Sequence, residues 1–302
     1  VSTSVDFTNP DQAANHRRGL LWLLVTAVGW GFNWPMMRMV LNELPPFTVR
    51  ALTCTAGAAV AFATAALLGE RLRPPPSQWQ PLLISTALNV SGFMALAILA
   101  VELLNASEAV IVVYTLPLWS ALLAWPVLGE RLTRLRSVAL VLGLTGVAVL
   151  VGPDALGGFA RRDRLAGLAV GIACSLVFAL GTVLSKRRPL AMPPVASVAW
   201  QVGIGAVPLI ALAFLEHPDW SRLTHRGVIG CFYLATIPLT VAYTAWFRAL
   251  RLLPASTASI GSLLVPIIGV FASAAILGEP LGARQIAALG LTVGGVALAA
   301  RA

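Results

Sequence analysis

Charge is what this sequence has least of. Only 11% of its 302 residues are charged, where a soluble domain carries about 25%. The hydrophobic share is 58% and the mean hydropathy +0.84, which excludes an ordinary soluble globule and implies an integral membrane protein. Cysteine is scarce too. Cys54, Cys174 and Cys231 each lie inside an apolar run, and an odd number without paired spacing gives no disulfide framework and no metal site, only buried thiols. The three histidines, His16, His217 and His225, are confined to the amino-terminal tail and one loop. Glu102, Glu108, Glu130 and Glu279 stand near the ends of apolar runs, so a carboxylate proton relay at mid-membrane is not expected. Arg38, Arg50 and Lys186 also fall near run ends, which argues against a cavity for phosphorylated substrates, since these want cations at the centre. No nucleophile, base and orienting group converge, so no enzyme and no cofactor are expected.

What is abundant is apolar sequence in blocks. A spanning helix needs about 20 apolar residues, and ten candidates are legible, at 20–40, 47–69, 79–101, 106–128, 134–152, 165–185, 195–215, 227–248, 256–277 and 283–301. Loops between them are short, so no soluble domain fits. The formal charge of +9 comes from basic clusters between the runs, which points to membrane topology and anionic lipid rather than nucleic acid.

The chain also repeats itself. Leu103-Leu104, Ala106-Ser107, Pro117 and Leu128-Gly129-Glu130 return 149 residues later as Leu252-Leu253, Ala255-Ser256, Pro266 and Leu277-Gly278-Glu279. Earlier in each copy the spacing is 148, placing Gly19-Leu20 on Gly167-Leu168 and Pro45-Pro46 on Pro193-Pro194. Such periodicity decides architecture before any local motif. Five spans per copy is odd, so the second copy enters the membrane from the opposite side and the repeat is inverted. The expected organisation is a disordered cytoplasmic tail at 1–18 without a cleaved signal peptide, a first five-helix repeat at 19–152, a connecting loop at 153–164 and a second repeat at 165–302. With a cytoplasmic amino terminus, 13 of the 21 basic residues fall inside, which fits the positive-inside rule with both termini cytoplasmic.

Polar residues inside spans face a bundle interior or a watery cavity. Trp30, Asn33 and Trp34 share one helical face, either a substrate-facing wall or a packed tryptophan pair with an amide bonded to a neighbour. Their counterparts in the second copy are Phe178, Gly181 and Thr182, so a site here is asymmetric. Ser85, Asn89 and Phe93 line one face of the third span, and Thr236, Thr240, Tyr243 and Phe247 line its counterpart, suited to stacking an apolar group while offering hydroxyls. Helix-to-helix hydrogen bonding is the bland alternative. Pro117 and Pro266 are expected mid-helix, freeing the carbonyls of Val113 and Ser262, with Tyr114, Ser259 and Ser262 one turn away; a simple kink is the alternative. Gly167 with Gly171, and Gly290 with Gly294, have a spacing that serves internal packing or dimerisation. Packing within a monomer is the expectation.

Ten spans in two inverted copies, Trp30-Gly31 in the first span, Pro117 and Pro266, and a Leu-Gly-Glu after each fourth span together resemble the drug/metabolite transporter superfamily. Within it the chain is similar to EamA-type exporters, with two repeats across residues 20–301. The uncharged aromatic set Trp30, Trp34, Tyr114, Phe178 and Tyr243 looks most like the YddG-type exporters of aromatic amino acids. The resemblance implies an all-α transporter in a bacterial inner membrane, with a central cavity opening alternately to each side and efflux as its usual direction. On this reading the apolar part of an amino acid or related metabolite stacks on Trp30, Phe178 and Tyr243. Its carboxylate meets Asn33, Asn89 and Thr182, and its ammonium meets the freed carbonyls with Ser259 and Ser262. A nucleotide-sugar or sugar-phosphate exchanger, a passive channel and a lipid-scrambling role are the rivals.

Overall fold

The computed structural model describes residues 10–129, 134–151, 159–253 and 264–299. Among them the chain is built from helices: α1 (Pro10–Gly31), α2 (Asn33–Leu41), α3 (Pro46–Leu67), α4 (Trp79–Ser85), α5 (Phe93–Leu103), α6 (Ala106–Val113), α7 (Leu116–Leu128), α8 (Arg134–Val151), α9 (Phe159–Arg187), α10 (Pro194–Ala213), α11 (His225–Thr236), α12 (Tyr243–Leu252), α13 (Leu264–Leu277) and α14 (Ala283–Ala299). By length and composition, seven stretches among the described residues are able to cross a membrane, from Ala14–Leu41 to His225–Trp246. The other three expected spans coincide with α8, α13 and α14, of 18, 14 and 17 described residues.

Local chemistry explains the boundaries. Pro46 and Pro194 open α3 and α10 after extended Pro45 and Pro193, where a missing N–H costs nothing because first-turn donors have no intrahelical partner. Gly69, Gly129 and Gly278 follow α3, α7 and α13 at φ of 69°, 73° and 68°, the left-handed conformation glycine adopts without strain. Two boundaries differ from expectation. The described part of the expected tail, from Pro10, is helical in α1, and the described part of the expected connecting loop, from Phe159, is helical in α9.

Leu21, Leu67, Phe214 and Phe232 point outward, at 62%, 89%, 82% and 69% exposure, a surface that suits lipid and not water. Met37, Val40, Ile98, Val101, Val110 and Ile111 are fully buried where α2, α5 and α6 meet.

The helices pair across the two copies. The most extensive contacts join α3 to α10 and α8 to α14, equivalent elements under the sequence repeat. Close approach in the second pair depends on glycine: a Cβ on Gly295 would stand 2.8 Å from the Ala139 carbonyl oxygen. Helix α1 packs on α12 and α13, while α9 packs on α5, α6 and α7, the same arrangement with the copies exchanged. Gly167 and Gly171 lie against Leu104 and Val112, so this pair serves internal packing.

Carboxylates fasten these contacts. Glu279 accepts from the Ala106 and Ser107 amides at 2.8 and 2.9 Å and from the Ser107 hydroxyl, capping α6 from the other copy. Glu216 caps α3 through the Phe47 and Thr48 amides at 3.0 and 2.6 Å. Glu70 caps α10 through Val195 and Ala196 at 3.4 and 2.7 Å. A carboxylate at a helix amino terminus satisfies orphan donors and meets the positive end of the helix dipole. The Glu279 of the repeated Leu-Gly-Glu is thus more than an interfacial charge. The same triplet ends α3 as Leu68-Gly69-Glu70, a third instance visible in the sequence that the repeat comparison passes over.

Candidate functional site

The third span of each copy is not a uniform helix. Between α4 and α5 the chain widens into a π-helical segment, Thr86–Gly92, and between α11 and α12 into a second, Ile237–Ala242. Such wide turns loosen the backbone ladder and recur at functional sites. Among the described residues, Thr86 Oγ1, Asn89 Oδ1 and Thr240 Oγ1, all in these two segments, are buried without a hydrogen-bond partner, as is Thr292 Oγ1 on α14 beside Gly146 of α8. Buried polar atoms are ordinarily paired, so this grouping marks the place where a polar ligand would be welcome.

Aromatic pairs from both copies flank the segments. Trp30 and Tyr243 meet edge to face with centroids 5.2 Å apart, and Phe93 and Phe178 meet at 4.7 Å. Since Trp30 corresponds to Phe178, and Phe93 lies one residue off Tyr243 in the repeat register, these are equivalent contacts with the copies exchanged. Trp246 adds to the first pair at 5.8 Å, and Trp30 Nε1 donates to the Pro238 carbonyl at 3.1 Å. Trp34, 3% exposed, turns instead to Tyr114 at 6.3 Å. Asn33 is half-buried at the start of α2.

The orientation of Asn89 follows from its neighbours. Gln201 Nε2 donates to the Ser197 carbonyl, which can only accept, so Gln201 Oε1 must be the atom that accepts from Ser85 Oγ at 2.8 Å. Ser85 Oγ, having donated, accepts from Asn89 Nδ2 at 3.3 Å, and Ser185 Oγ accepts a second contact at 3.4 Å. The amide hydrogens of Asn89 are therefore spent and its oxygen is the free atom. That oxygen lies against Gly181, where a side chain would collide with it. The exchange of Asn33 for Gly181 between the copies thereby makes room for Asn89. Thr182 is exposed, and its hydroxyl donates to the Phe178 carbonyl at 2.9 Å. Neither Asn89 nor Thr182 offers the donor expected for a carboxylate.

Pro117 acts differently from expectation. Pro117 is not mid-helix: α6 ends at Val113, the chain breaks at Tyr114 and Thr115, and Pro117 stands in the first turn of α7. The ring cannot follow a helical turn without colliding with the carbonyl four residues back, so the cheaper solution is to begin a new helix there. The Val113 carbonyl lies 3.0 Å from Ser175 Oγ, whose single hydrogen is shared with the Val112 and Gly171 carbonyls at 3.1 and 3.0 Å. Pro266 is the third described residue of α13, and residues 254–263 before it lie outside the described residues. Ser259 and Ser262 lie outside the described residues.

Sequence reasoning missed Gln201, Ser185 and Ser175, three polar residues inside apolar runs and so detectable by the rule that found Asn89. It also misjudged Arg50. Although Arg50 is one turn into α3, its side chain is 6% exposed, with Nε donating to the Met94 carbonyl at 3.1 Å and an Nη contacting Met37 Sδ at 2.9 Å. Position along a helix does not report where a long side chain ends. A crevice of about 270 Å³ opens beside Ser85 and Ser185, lined also by Pro81, Ile84, Leu184, Arg187 and Arg188 and not by Asn89, Gln201 or Arg50.

Known proteins resemble this chain over most of its length. The EamA-like transporter family matches residues 17–152 and 165–301. The aromatic amino acid exporter YddG of Ancylobacter novellus is 28% identical over 273 residues, covering 85% of this chain and 88% of that protein. A probable amino-acid metabolite efflux pump of Salmonella typhimurium is 26% identical over 296 residues, covering 93% and 94%. The uncharacterized transporter YvbV of Bacillus subtilis is 26% identical over 282 residues, covering 93% and 91%. A solved crystal structure with 23% identity superimposes at a TM-score of 0.68, covering 93% of this chain and 96% of that one, which establishes a shared fold.

Proposed function

The chain belongs to the EamA-like transporter family, and from that premise we propose that it exports amino acids with aromatic or other apolar side chains, and related small metabolites, by alternating access. The observation that carries the proposal is the paired π-helical segments, which hold the unpartnered Asn89, Thr86 and Thr240 oxygens and run directly into Phe93 and Tyr243 of the pairs Phe93–Phe178 and Trp30–Tyr243. Uncharged acceptors beside aromatic faces suit a ligand with an ammonium and an apolar side chain. The substrate ammonium is assigned to Asn89 Oδ1 in place of the proline-freed carbonyls. Names of relatives that include an amino acid exporter and an amino-acid metabolite efflux pump support the substrate class.

Alternating access draws support from the exchanged pairing of α1 with α12 and α13 and of α9 with α5, α6 and α7, which suits two inverted five-helix halves rocking about the α3–α10 and α8–α14 contacts. A monomer in a bacterial inner membrane with both termini cytoplasmic is part of the proposal, its orientation supported by the 13 of 21 basic residues that fall on the cytoplasmic side. Arg50 gives one specific argument for the phosphorylated-substrate alternative, but a single buried guanidinium suits one carboxylate better than a diphosphate.

Reconstitution into liposomes with labelled amino acids, metabolites and nucleotide sugars, with and without a proton gradient, tests the reading. Saturable flux of apolar amino acids is the expected result. Flux confined to phosphorylated compounds overturns it, and amino-acid flux that fails to saturate indicates a channel.

A further inference from the structure

We propose that Arg50 is the group that receives the carboxylate of the transported amino acid, an inference that rests on the amino-acid reading above and names a recognition residue for it. Arg50 begins about 6 Å along α3 from Pro46, whereas Met94, whose carbonyl it reaches, lies about 14 Å along α5 from Leu103 at the same end of the bundle. The side chain therefore runs inward from the end of its helix. Its head is enclosed by neutral groups: the Met94 carbonyl on α5, Met37 sulfur on α2, and Cys54 on its own helix, with Cys174 on α9 close by. A thioether is a weak acceptor, and no carboxylate pairs with Arg50 among the described residues.

The acids that the structure ties down are engaged elsewhere. Glu43 binds Thr224, Glu70 and Glu216 cap α10 and α3, Glu108 pairs with Arg164 at 2.8 Å, and Glu279 caps α6. A buried cation without a counter-ion is costly, and proteins keep such charges paired. In a transporter the counter-ion can arrive with the cargo.

The placement fits. Met94 follows Phe93, whose ring meets Phe178 at 4.7 Å and whose carbonyl accepts from Cys174 Sγ at 3.5 Å. The guanidinium thus lies one residue along the backbone from an aromatic pair flanking the π-helical segments. A carboxylate on Arg50 and an ammonium at Asn89 would leave the substrate side chain to the aromatic faces. This also supplies the donor that Asn89 and Thr182, already committed, do not.

The test measures saturable flux of labelled L-phenylalanine into proteoliposomes, with unlabelled L-phenylalanine, L-phenylalaninamide and phenethylamine as competitors, for wild type, Arg50→Lys and Arg50→Gln. In wild type, removing the carboxylate is expected to weaken competition about ten- to hundredfold. Arg50→Gln should abolish the preference for the acid over the amide, and Arg50→Lys should keep part of it. Equal competition by acid and amide in wild type overturns the inference, and that arm holds even where a variant fails to insert. A folded Arg50→Gln protein that still prefers the acid by the wild-type factor also overturns it. Wild-type protein with no saturable amino-acid flux fails earlier: it removes the amino-acid reading itself, and this inference with it.

Discussion

The indole of Trp30 stands edge-on to the phenol of Tyr243, 5.2 Å between centroids, on helices from opposite copies of the repeat. Because Phe178 and Phe93 make the corresponding contact at 4.7 Å, each copy contributes one ring to each pair. An interaction of this kind is worth about 0.5–1.5 kcal/mol beyond its buried area, too little to decide folding alone. Trp30→Ala and Tyr243→Ala are therefore expected to insert and purify normally yet lose saturable transport. Normal flux in both variants removes these residues from the site.

Gly181 and Asn89 are coupled through space. Gly181→Ala forces a methyl group onto the Asn89 carboxamide, and overpacking of this sort costs about 1–3 kcal/mol. The double variant Gly181→Ala with Asn89→Ala should recover most of that stability in detergent melts without recovering transport. Additive losses in the double variant contradict the contact.

The Glu279 cap of α6 predicts a stability effect at a distance in sequence. Glu279→Ala removes the acceptor for two amides and one hydroxyl, a loss of about 1–2 kcal/mol. Melting should fall by a few degrees, and Glu279→Gln, which keeps an acceptor oxygen but not the charge, should fall less. Equal melting of Glu279→Ala and wild type would show that the cap contributes nothing.

Ser175 Oγ lies within hydrogen-bond reach of the Val112 and Val113 carbonyls at the break before α7, at 3.1 and 3.0 Å, and of the Gly171 carbonyl on its own helix at 3.0 Å, with one hydrogen to share among them. In a bilayer no water replaces it, so Ser175→Ala should destabilise by about 1–3 kcal/mol. A wild-type melting temperature in that variant would mean the carbonyls find another donor.

Much of the fold was legible because hydropathy and repetition are local properties. The long apolar runs and the paired triplets Leu128-Gly129-Glu130 and Leu277-Gly278-Glu279 need no knowledge of contacts. Of the candidate site, Trp30, Asn89, Phe178, Thr240 and Tyr243 were legible as polar or aromatic residues inside spans, and the structure gathers them around two π-helical segments. The roles were not legible. Whether Asn89 donates or accepts depends on a chain of hydrogen bonds through Ser85 and Gln201, and those residues lie on three different segments.

By itself the sequence determined that this chain is a multi-pass helical membrane protein of repeated design, because burying backbone in lipid leaves few choices beyond apolar helices. The tertiary structure decided what the polar residues do. It showed Pro117 starting a helix rather than kinking one, Ser175 within reach of the Val113 carbonyl, Gly181 making room for Asn89, and Arg50 reaching into the bundle interior. These depend on which helices touch and where long side chains end, and neither is encoded in the spacing of residues along one helix.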